Sequence, residues 1–217
     1  MTKILKSKYK ASRGLGVAMW GTEKDAFKRR NYAPGQHGSE RKIKSSYCIH
    51  LHAKQLVKKS YGRITERQFE RTFEIANSKP GNVGDNMASL LERRLDVAVY
   101  RLGMARTIFA AAQLVSHKHI LVNGKVVNIR SYKVNIGDVV SIKAESEQQI
   151  SAVHNAIKSR KQYLPDYWKT EGVDQTLLQT SPYKSGYCGQ LVRFPIISDV
   201  PYAFEPNFPM IVEWYSR

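Results

Sequence analysis

The stretch QLVSHKHILVNGKVVN, Gln113 to Asn128, constrains the fold more than any other part of this chain. Ile120, Leu121 and Val122 lead into Asn123-Gly124, the pair that most readily adopts the positive φ angles of a two-residue type I′ turn, and Val126 and Val127 lead out. A tight antiparallel hairpin therefore follows directly on a basic helix end. His117, Lys118 and Lys125 are expected to crowd one end of the rigid unit so formed. Cations held at fixed positions are what reading the shape of a folded RNA demands.

The surroundings of the hairpin read as alternating helix and strand. SKPGNVGDN, Ser78 to Asn86, combines Pro, Gly and Asn and should interrupt regular structure, which predicts a domain boundary there. Leu91, Leu95, Ala98 and Leu102 then recur at helical steps, forming one apolar stripe of a helix that Gly103 can close. A second helix starts with Thr107 as its cap and turns Ile108, Ala111, Ala112 and Val115 inward. With a further strand at Val139 to Ile142, residues 89 to about 143 read as two helices packed on a small antiparallel sheet.

Upstream, the first 80 residues read as helical and basic, with Phe69, Phe73 and Ala76 as an apolar stripe. Residues 145 to 161 are polar and predict a helix or linker. Residues 161 to 217 hold 11 of the 22 aromatics and 6 of the 8 prolines. That segment should pack without much regular structure against the first domain or another protein. The expected fold class is α+β, divided into 1–88, a basic helical domain; 89–157, the helix-helix-hairpin module; and 158–217, an aromatic and Pro-rich segment packing on the first domain.

A formal net charge of +17 over 217 residues makes a polyanionic partner the default inference. The charge is concentrated at the start: residues 1 to 80 hold 19 Lys/Arg against 6 Asp/Glu, residues 81 to 160 hold 11 against 6, and the remainder 5 against 6. No stretch is long or apolar enough to span a bilayer and no lipidation motif is present, so a membrane is not an expected partner. The start, MTKILKSKYKASRG, lacks the apolar core of a secretory signal, although it is basic and Ser-containing as transit peptides are. Two cysteines, Cys48 and Cys188, fit a reduced compartment.

Two motifs in the basic domain suit phosphate. NYAPGQHG, Asn31 to Gly38, follows Lys28, Arg29 and Arg30; Pro34-Gly35 suits a turn, Gly38 would let backbone amides approach a phosphate, and Gln36 and His37 offer hydrogen bonds. An ordinary surface turn is the alternative. In KQLVKKSYGRITERQFER, helical spacing puts Lys54 with Lys58 and Arg63 with Arg67, and long cationic arms there could track a phosphate backbone. A face paired internally by Glu66 and Glu70 is the plainer reading. Cys48, His50 and His52 would not share a face in a helix, so no metal site is expected. His117 sits naturally at a helix carboxyl end.

Arg94-Leu95-Asp96 resembles the tripeptide around the catalytic aspartate of pseudouridine synthases, but Val97 to Tyr100 continue a helix there. Pairing of Asp96 with Arg93 or a cation across the fold is expected instead. No other catalytic constellation and no cofactor motif is found.

LLERRLDVAVYRLG followed by TIFAAAQLVSHKHILVNGKVVN resembles the small RNA-binding module named after small-subunit ribosomal protein four, a module also appended to several RNA-modifying enzymes. APGQHG, Lys54-Gln55, Tyr61-Gly62, Glu66 to Phe69 and the ending IVEWYSR are similar to the bacterial-type ribosomal protein family itself, in order and spacing, over essentially the whole chain. The resemblance implies a non-enzymatic constituent of the small ribosomal subunit that binds the five-prime domain of its RNA at a multi-helix junction and nucleates assembly. It implies contact with small-subunit protein five, at an interface tied to decoding accuracy, and a position near the channel by which mRNA enters. The ribosome would lie in a bacterial cytoplasm or a mitochondrial matrix. In the family the carboxyl-terminal segment completes the first domain, and Arg193, Pro195, Ser198, Asp199 and Pro201 fit its pattern. The chain departs at Ala112, where many relatives carry arginine, in lacking the amino-terminal cysteine cluster by which some members bind zinc, and between Leu164 and Gln190, where little aligns.

RNA contact is expected from Lys3, Lys8, Lys10, Arg13, Arg29, Arg30, Gln36, His37, Gly38, Arg41, Lys44, Lys54, Gln55, Lys58, Arg63 and Arg67 in the first domain. In the module it is expected from Arg93, Arg94, Arg106, Thr107, Gln113, His117, Lys118, Asn123 and Lys125. Two rivals remain: an RNA-modifying, pseudouridine synthase-like enzyme carrying the module, and a helix-turn-helix DNA regulator, against which the hairpin argues.

Overall fold

The structure is a computed structural model that describes residues 8–20, 25–40, 43–62, 64–143, 164–170 and 185–216. The polar stretch 145–161 lies outside the described residues. The chain divides into two compact units, residues 1–84 with 202–217, and residues 85–201.

The first unit is helical. Its described elements are α1 (Lys8–Leu15), α2 (Ala26–Arg29), α3 (Ser46–Ser60), α4 (Glu66–Asn77) and the carboxyl-terminal α8 (Phe208–Ser216). Local chemistry sets the boundaries. Ser45 caps α3 by accepting from the Cys48 amide, and α4 opens with a reciprocal capping box between Thr65 and Gln68. Thus KQLVKKSYGRITERQFER spans two helices, α3 closing at Tyr61 and α4 opening after Thr65. Phe69, Phe73 and Ala76 form the expected buried stripe of α4. The Tyr215 ring of α8 stacks on Phe73 with centroids 4.8 Å apart, while Trp214 leans on Tyr47 of α3 at 4.7 Å.

The second unit is mixed. It holds most of α5 (Val83–Glu92), α6 (Leu95–Arg101) and α7 (Ile108–Ser116), with strands β1 (Ile120–Val122), β2 (Lys125–Val126), β3 (Val139–Lys143), β4 (Trp168–Lys169) and β5 (Ser185–Leu191). The strands form one antiparallel sheet in the order β2-β1-β3-β5-β4. Leu95, Ala98, Leu102, Ala111 and Val115 from the helices meet Ile120, Val122, Val140, Ile142 and Leu191 from the sheet in one core. Asn123 and Gly124 take φ of +50° and +76°, the I′ geometry the hairpin requires.

The α+β class stands, with two corrections of detail. The single helix expected across Leu91 to Leu102 is two, because Arg94 is extended and bridges Lys133. A strap through residues 130–134 crosses the break: the Leu95 and Asp96 amides donate to the Tyr132 and Arg130 carbonyls, and the Val134 amide donates to that of Arg93. The carboxyl-terminal segment also divides. Residues 202–217 belong to the helical unit, whereas residues 168–169 and 185–191 extend the sheet of the second.

Candidate nucleic-acid interface

In the first unit, burial sorts cations that sequence cannot tell apart. Asp25 is buried, capping α2 through the Phe27 amide at 3.1 Å and accepting from the Ser12 hydroxyl at 3.0 Å, so α2 is fixed to α1. Arg29 and Arg30 at the end of α2 are left exposed, as are Lys10, Lys44 and Arg67, and no ion pair holds any of them among the described residues. Arg13 behaves differently. Its Nε and Nη2 donate to the Tyr32 and Ala33 carbonyls at 3.1 and 3.2 Å, and its guanidinium lies over the Tyr32 ring. It clamps the loop rather than offering a free charge.

The NYAPGQHG loop closes on itself. The Ala33 amide donates to the Gly38 carbonyl and the Gly38 amide to the Gly35 carbonyl. A Cβ at Gly38 would come within 1.9 Å of the Ala33 oxygen. The glycine is required by loop closure and its own amide is spent there, so the absence of a side chain serves the loop's own fold as well as the close approach of a phosphate expected of it. Gln36 and His37 are exposed at the tip, where His37 Nδ1 pairs with Glu40.

Lys54 calls for a clear correction. It is 6 % exposed, its Nζ lies 2.7 Å from Glu66 Oε1, and it sits 4.4 Å above the Trp214 ring. Lys58 holds the other oxygen of Glu66, and the Tyr215 hydroxyl donates to Oε1 at 3.1 Å. Burial pushes the Glu66 carboxyl up, but the hydrogen bonds and charges of Lys54 and Lys58 outweigh it and hold the group at about 2. The expected phosphate contacts of this pair are therefore occupied internally, in a seam that seats α8 against α3 and α4. Its partners Trp214 and Tyr215 carry no charge and escape a search for cations. Gln55 is half-buried on α3. Lys3, Arg41 and Arg63 lie outside the described residues, as does the side chain of Lys8.

On α3, His50 Nε2 meets Glu213 of α8 at 2.8 Å, and its Nδ1 meets the Ser46 carbonyl. His52 faces elsewhere, and among the described residues no group of three or more His, Cys, Asp or Glu converges as metal ligands would.

In the second unit Thr107 caps α7 as expected, accepting from the Ala110 amide at 3.1 Å. The far end of α7 closes with the Lys118 amide on the Val115 carbonyl and the His119 amide on that of Leu114, a Schellman motif whose left-handed residue is Lys118, at φ +65°. His117, Lys118, Lys125, Arg106 and Gln113 are all exposed. They do not crowd one end: Lys118 lies before β1 and Lys125 beside the turn after it, so their backbones stand a strand length apart, roughly 10 Å. Asn123 is spent within the hairpin, its amide donating to Asp138 and its oxygen accepting from the Val139 amide, both at 2.8 Å.

Arg94 and Arg93 are also engaged. Arg94 donates twice to Asp96, at 3.1 and 2.9 Å, so the aspartate is held by Arg94 rather than Arg93. Asp96 is buried and accepts its third bond from the Val97 amide, which leaves no carboxylate oriented for catalysis on a bound base. Arg93 donates to Val134 and Asn135 and stacks 4.3 Å from the Phe194 ring. Ala112 is buried. Arg193 holds Asp199 through both its terminal nitrogens.

Residues 3–92 match the family described as Ribosomal protein S4/S9 N-terminal domain, and residues 93–140 match the S4 domain. Small ribosomal subunit protein uS4 of Rickettsia typhi is 49 % identical over 218 residues, covering 100 % of both chains. Those of Orientia tsutsugamushi and Rickettsia canadensis are 48 % and 49 % identical, again over the full length of both.

Proposed function

The chain belongs to the family of small ribosomal subunit protein uS4, and from that premise we propose that it is a primary binder of the five-prime domain of small-subunit ribosomal RNA. It is a constituent of the small subunit of a bacterial-type ribosome, in the bacterial cytoplasm, and it is not an enzyme. The observation that carries the RNA reading is the set of exposed cations without ion-pair partners among the described residues. Lys10, Arg29, Arg30, Lys44 and Arg67 stand on the helical unit, and Arg106, Lys118 and Lys125 on the mixed one.

The helical unit captures the RNA electrostatically, since phosphate contacts supply affinity without sequence information. The mixed unit then positions a junction by shape, with His117, Lys118 and Lys125 spaced by a rigid hairpin and Gln113 adding a neutral hydrogen bond. Binding early and at many phosphates would nucleate assembly. Contact with protein five suits the apolar surface around the start of α3, where Ile43 is 98 % and Tyr47 59 % exposed. That interface would support decoding accuracy, near the channel by which mRNA enters.

Sedimentation of a native lysate on a sucrose gradient, with mass spectrometry of each fraction, tests the proposal. Stoichiometric retention on the small subunit after a high-salt wash is expected, with the five-prime domain RNA protected by the isolated protein. Failure of the isolated protein to bind that RNA would overturn the assignment of the site.

A further inference from the structure

Tyr32 opens the loop that α1 and α2 hold in place. Asp25 and Ser12 join the two helices, Arg13 of α1 donates to the Tyr32 and Ala33 carbonyls, and the Ala33 amide closes the loop on Gly38. The ring is therefore set on a fixed backbone. The Arg13 guanidinium lies over one of its faces, 4.9 Å from the centroid. Tyr32 is nevertheless 43 % exposed, and among the described residues no second ring or cation packs on it and its hydroxyl makes no hydrogen bond. An exposed aromatic by itself is ordinary. This one is backed by a guanidinium that has no carboxylate partner among the described residues, and it follows directly on Lys28, Arg29 and Arg30, all exposed and likewise without an ion pair there. Those positive charges disfavour a plain apolar partner. A polyanion whose bases carry flat π-faces matches both the ring and its surroundings.

We propose that the Tyr32 ring, backed by Arg13, is a stacking platform for one unpaired base of the RNA, with Lys28, Arg29 and Arg30 receiving the phosphates beside it. This rests on the chain being an RNA-binding constituent of the subunit, and it adds contact with a base to the capture of phosphates. Bases inside a duplex are closed to such a ring, so the nucleotide it takes is one splayed from a loop, bulge or junction. Every base offers a π-face, and the platform selects an unpaired nucleotide rather than a sequence. Stacking releases no counterions. Its share of the affinity is therefore independent of salt, unlike that of the neighbouring cations. The loop's closure prepays the ordering of the ring, since the backbone of Tyr32 is already held when the RNA arrives.

The test measures binding of the full chain to a transcript of the five-prime domain of small-subunit ribosomal RNA at several salt concentrations. The native chain, Tyr32→Phe and Tyr32→Ala are compared. Tyr32→Phe keeps the ring and should bind as the native chain does, whereas Tyr32→Ala should lose about 5- to 150-fold in affinity with its log–log salt slope unchanged. A second readout needs no folded variant in the complex: the ring-proton resonance of Tyr32 in the tyrosine-labelled native chain, identified by its loss in Tyr32→Phe, should move upfield on RNA binding as the stacked base shields it. Native-like affinity in Tyr32→Ala overturns the inference. So does a Tyr32→Phe as weak as Tyr32→Ala, which would make the hydroxyl the contact, or a flattened slope in Tyr32→Ala, which would make the ring a support for the cations. An unmoved Tyr32 resonance in the RNA complex also overturns it, leaving RNA binding standing and the ring open to a protein neighbour. Absence of RNA binding by the native chain overturns both readings.

Discussion

Glu92 and Arg101 face each other inside the mixed unit, with guanidinium Nε and Nη2 each 2.8 Å from a different carboxylate oxygen. Glu92 is 1 % exposed and Arg101 8 %. Tyr167 donates a third bond to Glu92 at 2.8 Å, and Arg101 Nη1 reaches the Pro201 carbonyl at 3.3 Å. One pair thus ties α5, α6 and the segment before β4 together. Glu92→Ala should lower the stability of this unit by about 3–5 kcal/mol, because it leaves a guanidinium buried without its counter-charge. Replacing Glu92 and Arg101 together by Leu and Met should cost far less. Urea unfolding of the two variants decides it, and equal losses would mean the pair does not act as a unit.

The seam around Glu66 should govern acid stability in the helical unit. Its carboxyl is held at about 2, below the ordinary 4.5. A depressed folded-state value contributes stability that is fully present above the unfolded value and is lost as pH falls through the folded one. The helical unit should therefore weaken between pH 4.5 and about 2, releasing α8 as Glu66 protonates. In Glu66→Gln that acid-dependent loss should be smaller, with the chain already weaker at neutral pH. Helicity and Trp214 fluorescence followed by acid titration would show it, and an identical acid transition in Glu66→Gln would remove Glu66 from the account.

Lys54 and Arg29 read alike in the sequence, as basic residues in a basic third, and fold alone separates them. What is legible rests on local determinants: Asn123-Gly124 makes its own turn, Thr107 its own cap, and Phe69, Phe73 and Ala76 their own stripe. The break at Arg93-Arg94 is not legible, because its cause is a strap some forty residues further along whose backbone pairs with the extended Arg94. Nor is β5, where SGYCGQL has modest strand propensity and gains its ladder from the edge of β3. Asn123 reads as an RNA contact because its polarity is visible in the sequence, whereas its partners Asp138 and Val139 come to it only when β3 docks.

Salt dependence should separate the two kinds of cation. Replacing the exposed Arg29 and Arg30 with Ala should flatten the log–log salt slope for RNA binding by about 0.7–0.9 for each phosphate that is no longer neutralised. Lys54→Met should leave the slope unchanged while weakening the helical unit, since that ammonium is neutralised by Glu66 beneath Trp214. Filter binding at several salt concentrations measures both. A slope that moves with Lys54 and not with Arg29 and Arg30 would invert the assignment.

Lys118 should show a direct conflict between stability and binding. The Schellman motif at the end of α7 needs a left-handed residue, and a side chain there costs about 1–2 kcal/mol relative to glycine. Lysine bears that strain at φ +65° while its side chain points to solvent with no ion pair among the described residues. A strained, exposed cation at a helix end is explained if its position matters to a bound anion. Lys118→Gly should therefore raise the stability of the mixed unit by about 1 kcal/mol and still weaken RNA binding, lowering the salt slope by about 0.7–0.9. Gly gives back some of its gain through the greater freedom of the unfolded chain, so the rise should sit at the low end of that range. Lys118→Ala completes the comparison, because it removes the charge and keeps the strain. Its affinity should match that of Lys118→Gly with none of the added stability. Thermal unfolding and RNA titration of the same samples would reveal the pattern, and unchanged affinity in both variants would leave Lys118 as a tolerated residue with no part in the interface.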